Sequence, residues 1–211
     1  MSVGVWARSF LHPLGVCDSI GYGAPNPPLR QAAGRYMTCY MVRKFYLNPF
    51  GYNLFWSVQM STCILMNMCM IYENNSNKVL VQDKIGSKWS GITFPGGHVD
   101  DGESIYESTV REVKEETGLT ISRLEQVGII HMDKPNSYEK RIIFLYKTSN
   151  FNGKIIAESN EGRVFWVDIN KLKTMQLSPN MSEYLKLFLN NDMIEAYVTP
   201  NGNGKNNYIF Y

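Results

Sequence analysis

The sequence predicts an α+β domain in which a mixed β-sheet is sandwiched between helices (α/β/α). Two observations carry this prediction. Segments rich in β-branched and aromatic residues alternate with segments of helical period, as in layered helix–sheet–helix folds. The helical segments also carry one apolar face of the kind that covers a sheet.

Residues 64–72 and 79–82 read as two strands joined by the turn Glu73-Asn-Asn-Ser-Asn77, a hairpin signature. A short strand over 92–94 runs into Gly96-Gly97. Residues 104–117 then contain neither Pro nor Gly, so a loop feeds a helix that Gly118 ends. Strands follow over 124–131, 141–147 and 163–167, all rich in β-formers, and 168–175 reads as a short helix. Ser178-Pro179 supplies an N-cap and first-turn proline for a helix whose Met181, Tyr184, Leu185, Phe188 and Leu189 make one apolar face. Residues 195–199 and 207–211, around Asn201-Gly-Asn-Gly204, read as a terminal hairpin, with fraying as the alternative.

The first 62 residues differ in character. Gly21-Tyr-Gly-Ala-Pro-Asn-Pro-Pro28 is turn-rich, and Tyr36, Met37, Tyr40, Met41 and Phe45 recur at helical spacing beside Arg35, Arg43 and Lys44. A basic amphipathic helix of that kind could lie on a membrane or serve in targeting. The expectation favoured here is a poorly ordered N-terminal extension over 1–62 and a folded domain over 63–211. A start of translation at Met60, Met66 or Met68 is a third reading.

Length suits one domain with a substantial core. The net charge of +2 hides an asymmetry, because 63–211 hold sixteen of the 21 basic and eighteen of the 19 acidic side chains. A mildly acidic domain lacks the basic stripe of a long nucleic-acid partner, so a nucleotide-sized substrate fits better. Cys17, Cys39, Cys63 and Cys69 have no metal-type spacing and do not suggest a disulfide scaffold. With neither a membrane-length apolar run nor a secretory signal, a cytoplasmic location is expected and no membrane partner. Oligomeric state is open.

The segment most charged with chemistry is the helix over 104–117. Residues three and four apart share a helix face, so Glu112 lies beside Glu115 and Glu116. Alone, these like charges weaken the helix by roughly a few tenths of a kcal/mol per pair. A divalent cation reverses the sign: Mg²⁺ prefers carboxylate oxygens and completes its shell with water and substrate phosphate. The stripe therefore predicts a metal and a phosphate together. Arg111, always charged and carrying five donors, can hold a neighbouring carboxylate in a fixed orientation. A Gly-Gly loop before the helix lets the backbone approach a ligand closely.

The run Gly97-His-Val-Asp-Asp-Gly102-Glu103, followed after seven residues by Arg111-Glu-Val-Lys-Glu-Glu-Thr-Gly-Leu119, resembles the Nudix hydrolase box, Gly-x5-Glu-x7-Arg-Glu-aliphatic-x-Glu-Glu-x-Gly-aliphatic, at every position. The resemblance implies the Nudix fold and a Mg²⁺- or Mn²⁺-dependent attack of water on a phosphorus of a nucleotide. It implies Glu112, Glu115, Glu116 and the Gly96 carbonyl as metal ligands, with Gly97, Glu103 and Gly118 as structural positions of the box. Glu112, Glu161 and Arg111 are the candidate catalytic residues. The base is recruited in this family from the box, here Glu112, or from a distant loop, here Glu158 or the preferred Glu161. Lys84, Arg141 and Trp89 are candidate substrate-binding residues, and Phe94, Tyr146 and Trp166 could likewise stack on a base. His98 and His131 have no metal partner at recognisable spacing.

The flank Lys88-Trp-Ser-Gly-Ile-Thr-Phe-Pro-Gly-Gly-His98, with 144–148 and 161–167, is similar to the MutT-like, 8-oxo-dGTP diphosphatase branch. That likeness implies a nucleoside triphosphate cleaved to monophosphate and pyrophosphate, as in nucleotide-pool sanitation. Hydrolysis of a dinucleoside polyphosphate, a nucleotide sugar or an RNA cap, or a non-catalytic nucleotide-sensing role, are the competing readings.

Overall fold

The computed structural model describes residues 37–46, 55–86, 89–134, 137–159, 161–201, 203 and 205–211, with side chains from residue 61 onward. Its elements run in the order β1 (Met37–Tyr46), β2 (Phe55–Ile71), β3 (Lys78–Lys84), β4 (Gly91–Thr93), α1 (Ile105–Thr117), β5 (Leu119–Ser122), β6 (Glu125–Asp133), β7 (Glu139–Thr148), β8 (Asn150–Gly153), β9 (Glu158–Ser159), β10 (Gly162–Asp168), a 3-10 helix (Ile169–Thr174), α2 (Met181–Leu189), β11 (Glu195–Pro200) and β12 (Asn206–Phe210).

Six strands form a mixed sheet in the order β1-β2-β7-β6-β11-β12, four a second sheet, β4-β3-β10-β9, and two a small ladder, β5-β8. The pairs β2/β7 and β6/β11 are parallel and the other pairs antiparallel. Alternation along the strands sends side chains to two cores. Met70, Val81, Phe94, Ile130, Ile143 and Leu145 pack with Tyr184, Leu185 and Phe188 of α2, while Cys69, Ile71, Leu80, Tyr146 and Val164 pack with Val113 of α1. A helix thus covers each face, giving the α/β/α layering that the alternating pattern predicts. Among the described residues no helix is long and apolar enough to cross a membrane.

Three local expectations are corrected. The hairpin over 64–82 is not formed: after the single bridge Tyr72↔Val79, β2 joins β7 in one sheet while β3 joins β4 and β10 in the other. Both strands are apolar on two faces, so each serves a sheet rather than a ribbon. Ser178 does not cap α2. That helix starts at Met181 behind Asn180, which has φ 68° and no side-chain cap bond, and the Ser178 hydroxyl donates to the carbonyl of Gly91 at 2.9 Å. Finally, Met37–Tyr46, read as helical spacing, is a strand paired antiparallel with β2 from Met37↔Cys63 to Tyr46↔Phe55. Thr38, Tyr40, Val42, Phe45 and Tyr46 are good strand formers, and the open edge of β2 supplies hydrogen-bond partners that helical periodicity cannot foresee. The division expected between residues 62 and 63 falls inside β2, and the expectation for 1–36 lies outside the described residues.

Candidate active site

Helix α1 opens with a complete capping box: the Ser104 hydroxyl accepts from the backbone N–H of Glu107, whose carboxylate accepts from the N–H of Ser104. It ends at Gly118, whose φ of 79° gives the left-handed exit expected of it. Two anchors fix its rotation. Val113 is fully buried against Leu80, and the Asn67 amide of β2 donates to the Ser108 hydroxyl at 3.0 Å. With that face down, Glu112 and Glu116 overlook the loop that precedes the helix.

The loop over 95–99 runs as a further rung along β2. Cys69 N–H donates to Pro95 O, Asn67 N–H to Gly97 O and Val99 N–H to Leu65 O, each at 2.9–3.0 Å. Glycines permit this approach. A Cβ on Gly96, at φ 152°, would collide with the Asn67 carbonyl, and one on Gly97 would collide with the Glu112 carboxylate. The Gly96 N–H donates to Glu116 Oε2 at 2.8 Å.

Arg111 organises the outer half of the cluster. Its Nε and Nη2 donate to the two oxygens of Glu103 at 3.0 and 2.7 Å, Nη1 to Glu112 at 3.0 Å and Glu115 at 3.2 Å, and Nη2 also to the His98 carbonyl at 3.1 Å. The hydrogen bond from Arg111 holds Glu103 down at about 2, and Glu103 in turn accepts from the N–H of Asp100, closing the loop onto the helix. Arg111 thus ties Glu112 and Glu115 to one guanidinium nitrogen.

Lys84, from the end of β3, organises the inner half, with Nζ 2.8 Å from Glu116 and 3.2 Å from Glu161. Burial pushes the Glu116 carboxyl up to about 7 against the pull of Lys84 and of the Gly96 N–H. Burial outweighs the ion pair here because 94% of the residue is withdrawn from water, its relative exposure being 6%. Glu161 is held low against the effect of its own burial, because Lys84 and Glu116 face it. Burial also raises Glu112. Lys84 is raised despite its own burial, because two carboxylates face it.

The result is a polar cleft of about 430 Å³ into which Lys84, Arg111, Glu112, Glu115, Glu116 and Glu161 all project. Among the described residues no three His, Cys, Asp or Glu side chains converge at coordinating distance; Lys84 and Arg111 draw the carboxylates toward themselves instead. The donor chemistry nevertheless fits a hard divalent ion, since carboxylates from one helix face and from the loop before β10 share one cleft.

A second, apolar pocket of about 210 Å³ adjoins the cleft, and the two share Lys84, Gly96, Gly97 and His98. Trp89, 44% exposed, stands at its rim, and Phe94 and Arg141 line it. The expected site residues thus fall into two groups that meet at Lys84. Of the other aromatic candidates, Tyr146 and Trp166 pack in the α1-side core, and Glu158 pairs across β10 with Arg163, away from the cleft. The sequence reading missed Met66, Met68, Met132 and Tyr184, which also line the pocket. Period-two alternation of Met66 and Met68 along β2 was the available signal.

A loop and helix that gather glutamates over a cleft, set in an α/β/α domain, mark the class to which this chain belongs. Residues 66–188 match the NUDIX domain family model, and the chain belongs to that family, the Nudix hydrolases. It is 28% identical over 116 residues to an uncharacterized Nudix hydrolase, YvcI, of Bacillus subtilis, covering 54% of this chain and 72% of that one. It is 36% identical over 90 residues to an oxidized purine nucleoside triphosphate hydrolase of Danio rerio, covering 43% of this chain and 55% of the relative. A MutT protein from Bacillus halodurans superimposes with a TM-score of 0.59 at 24% identity, covering 69% of this chain and 96% of that one, and shares the fold.

Proposed function

We propose that the cleft hydrolyses a nucleoside triphosphate to a nucleoside monophosphate and pyrophosphate with Mg²⁺ or Mn²⁺, with 8-oxo-dGTP as a candidate substrate in nucleotide-pool sanitation. The observation that carries this reading is the continuity of the acidic cleft with the apolar pocket through Lys84 and Gly96: one end suits metal-bound phosphates and the other a base. Similarity to the oxidized purine nucleoside triphosphate hydrolase of Danio rerio supports the choice of substrate.

Glu112, Glu115 and Glu116, with the Gly96 carbonyl, would hold the ion. When bound, such an ion neutralises phosphate oxygens and lowers the pKa of water. Glu161 takes the proton as water adds to phosphorus and the P–O–P bridge breaks, the bridging electrons leaving with pyrophosphate; Glu112 is the alternative base. Lys84 meets the phosphate nearest the pocket, and Trp89 stacks on the base.

The test is a panel of ordinary and oxidised nucleoside triphosphates with and without Mg²⁺, with products separated, alongside Glu116→Gln. Monophosphate and pyrophosphate should appear only with the metal. Glu116→Gln, which removes charge and keeps shape, should lower turnover by roughly 10²-fold or more while leaving circular dichroism intact. Release of orthophosphate alone, or undiminished turnover by Glu116→Gln, contradicts the proposal.

A further inference from the structure

The pocket beside the cleft has an unusual polar inventory. Among its lining residues there is no carboxylate; Arg141 lies within it, Lys84 at its junction with the cleft, and Asn67, whose amide nitrogen donates to Ser108 at 3.0 Å, has a buried oxygen without a partner that suits a ring N–H beside a carbonyl. The hydroxyls of Thr93 and Ser178 already donate to the carbonyls of Phe94 and Gly91, at 3.2 and 2.9 Å. Arg141 spends Nε and Nη2 on one oxygen of Glu139, at 3.1 and 2.9 Å, so Nη1 stands outside that pair. Tyr184, 2% exposed, gives its proton to the thioether of Met132 at 3.7 Å. A thioether is a weak acceptor, and a carbonyl oxygen would replace it with gain.

The apolar lining is equally specific in kind. Met66 and Met68 of β2 and Met132 of β6 contribute three long unbranched side chains, whose rotations let a surface repack around different shapes. The volume of about 210 Å³ is below the roughly 300–1,000 Å³ of pockets that bury a whole drug-sized ligand. It suits one part of a substrate.

Resting on the reading that this pocket takes the nucleoside end, we propose that it selects bases by a carbonyl edge turned to Arg141 and Tyr184, and that its methionines make it indifferent to ring size. Guanine- and uracil-type bases present carbonyl acceptors there. Adenine and cytosine present an amino donor, which the Arg141 guanidinium, carrying donors and no acceptor, cannot pair.

The full-length protein is titrated by calorimetry with GMP, UMP, AMP and CMP, a measurement independent of turnover. GMP and UMP are expected to bind within about threefold of each other and about tenfold or more tighter than AMP and CMP. Arg141→Met should bring all four within about twofold. Should that variant fail to fold, Arg141→Lys, which keeps the charge and loses the fork, should reduce the carbonyl preference by at least about threefold. Equal binding of all four, a split by purine and pyrimidine, or a preference untouched in both variants overturns the inference. Hydrolysis of triphosphates without base preference would defeat this inference alone, whereas selective binding without hydrolysis of any triphosphate would defeat the proposed activity alone.

Discussion

Arg111 grips Glu103 with two nearly parallel hydrogen bonds, at 3.0 and 2.7 Å, and extends its remaining nitrogen to Glu112. The structural position of the box and the chemical one are therefore joined through a single planar cation. A fork of this geometry orients what it holds, which an ammonium cannot do.

Arg111→Lys tests that coupling. The ammonium can satisfy one carboxylate and not both, so Glu112 loses its fixed orientation. Activity should fall roughly 10–100-fold, the range seen when supports of metal ligands are removed. The loss should be smaller in thermal stability, because an ammonium at this position still pairs with one of the carboxylates. Equal kcat/KM for the two proteins would show that Glu112 needs no such support.

Two neighbouring glycines separate a chemical from a structural effect. In Gly97→Ala the new methyl meets a side-chain carboxylate, that of Glu112, which can swing away; activity should drop while the unfolding midpoint changes little. In Gly96→Ala it meets the backbone carbonyl of Asn67, in a backbone conformation that side chains rarely adopt, so the unfolding free energy itself should fall by about 1–3 kcal/mol or more. Chemical denaturation beside turnover assays distinguishes the pair.

Gln82 lies wholly buried in β3, and neither atom of its amide has a hydrogen-bond partner. Gln82→Met keeps the length and removes both polar atoms, so it should stabilise the fold by about 1–3 kcal/mol. A destabilised variant in urea unfolding would mean that the amide is satisfied in solution.

Glu103 sets an acid limit. Arg111 holds its pKa at about 2 against an ordinary 4.5, and a depressed carboxylate stabilises the fold fully above its unfolded value. That contribution is lost as pH falls from about 4.5 through about 2. Glu103→Gln should be less stable at neutral pH and show a shallower decline over that window in denaturant midpoints taken pH by pH. Parallel curves for the two proteins would refute the linkage.

Much of the site is legible because its information is local. Glu112, Glu115 and Glu116 share a face by helical period alone, and Gly118 must end the helix where it stands. Glu161 is a harder case: chain order places it before a strand, but its approach to Glu116 depends on β10 pairing with β3, with Gly162 opposite Lys84. The misreadings have the same origin. The turn over 73–77 suggested a hairpin, yet which strands pair is decided by where each buries two faces, and Ser178 is drawn from its helix by a carbonyl 87 residues away.

The sequence by itself determined the loop–helix unit, its carboxylate stripe and the layered fold class, since period, capping and charge act between residues close in the chain. Tertiary structure alone decided that Lys84 stands between Glu116 and Glu161, that Arg141 shares a pocket with three methionines, and that β1 pairs with β2. Those relations depend on sheet register and on which open edges find hydrogen-bond partners, and such long-range pairing leaves little trace in local composition.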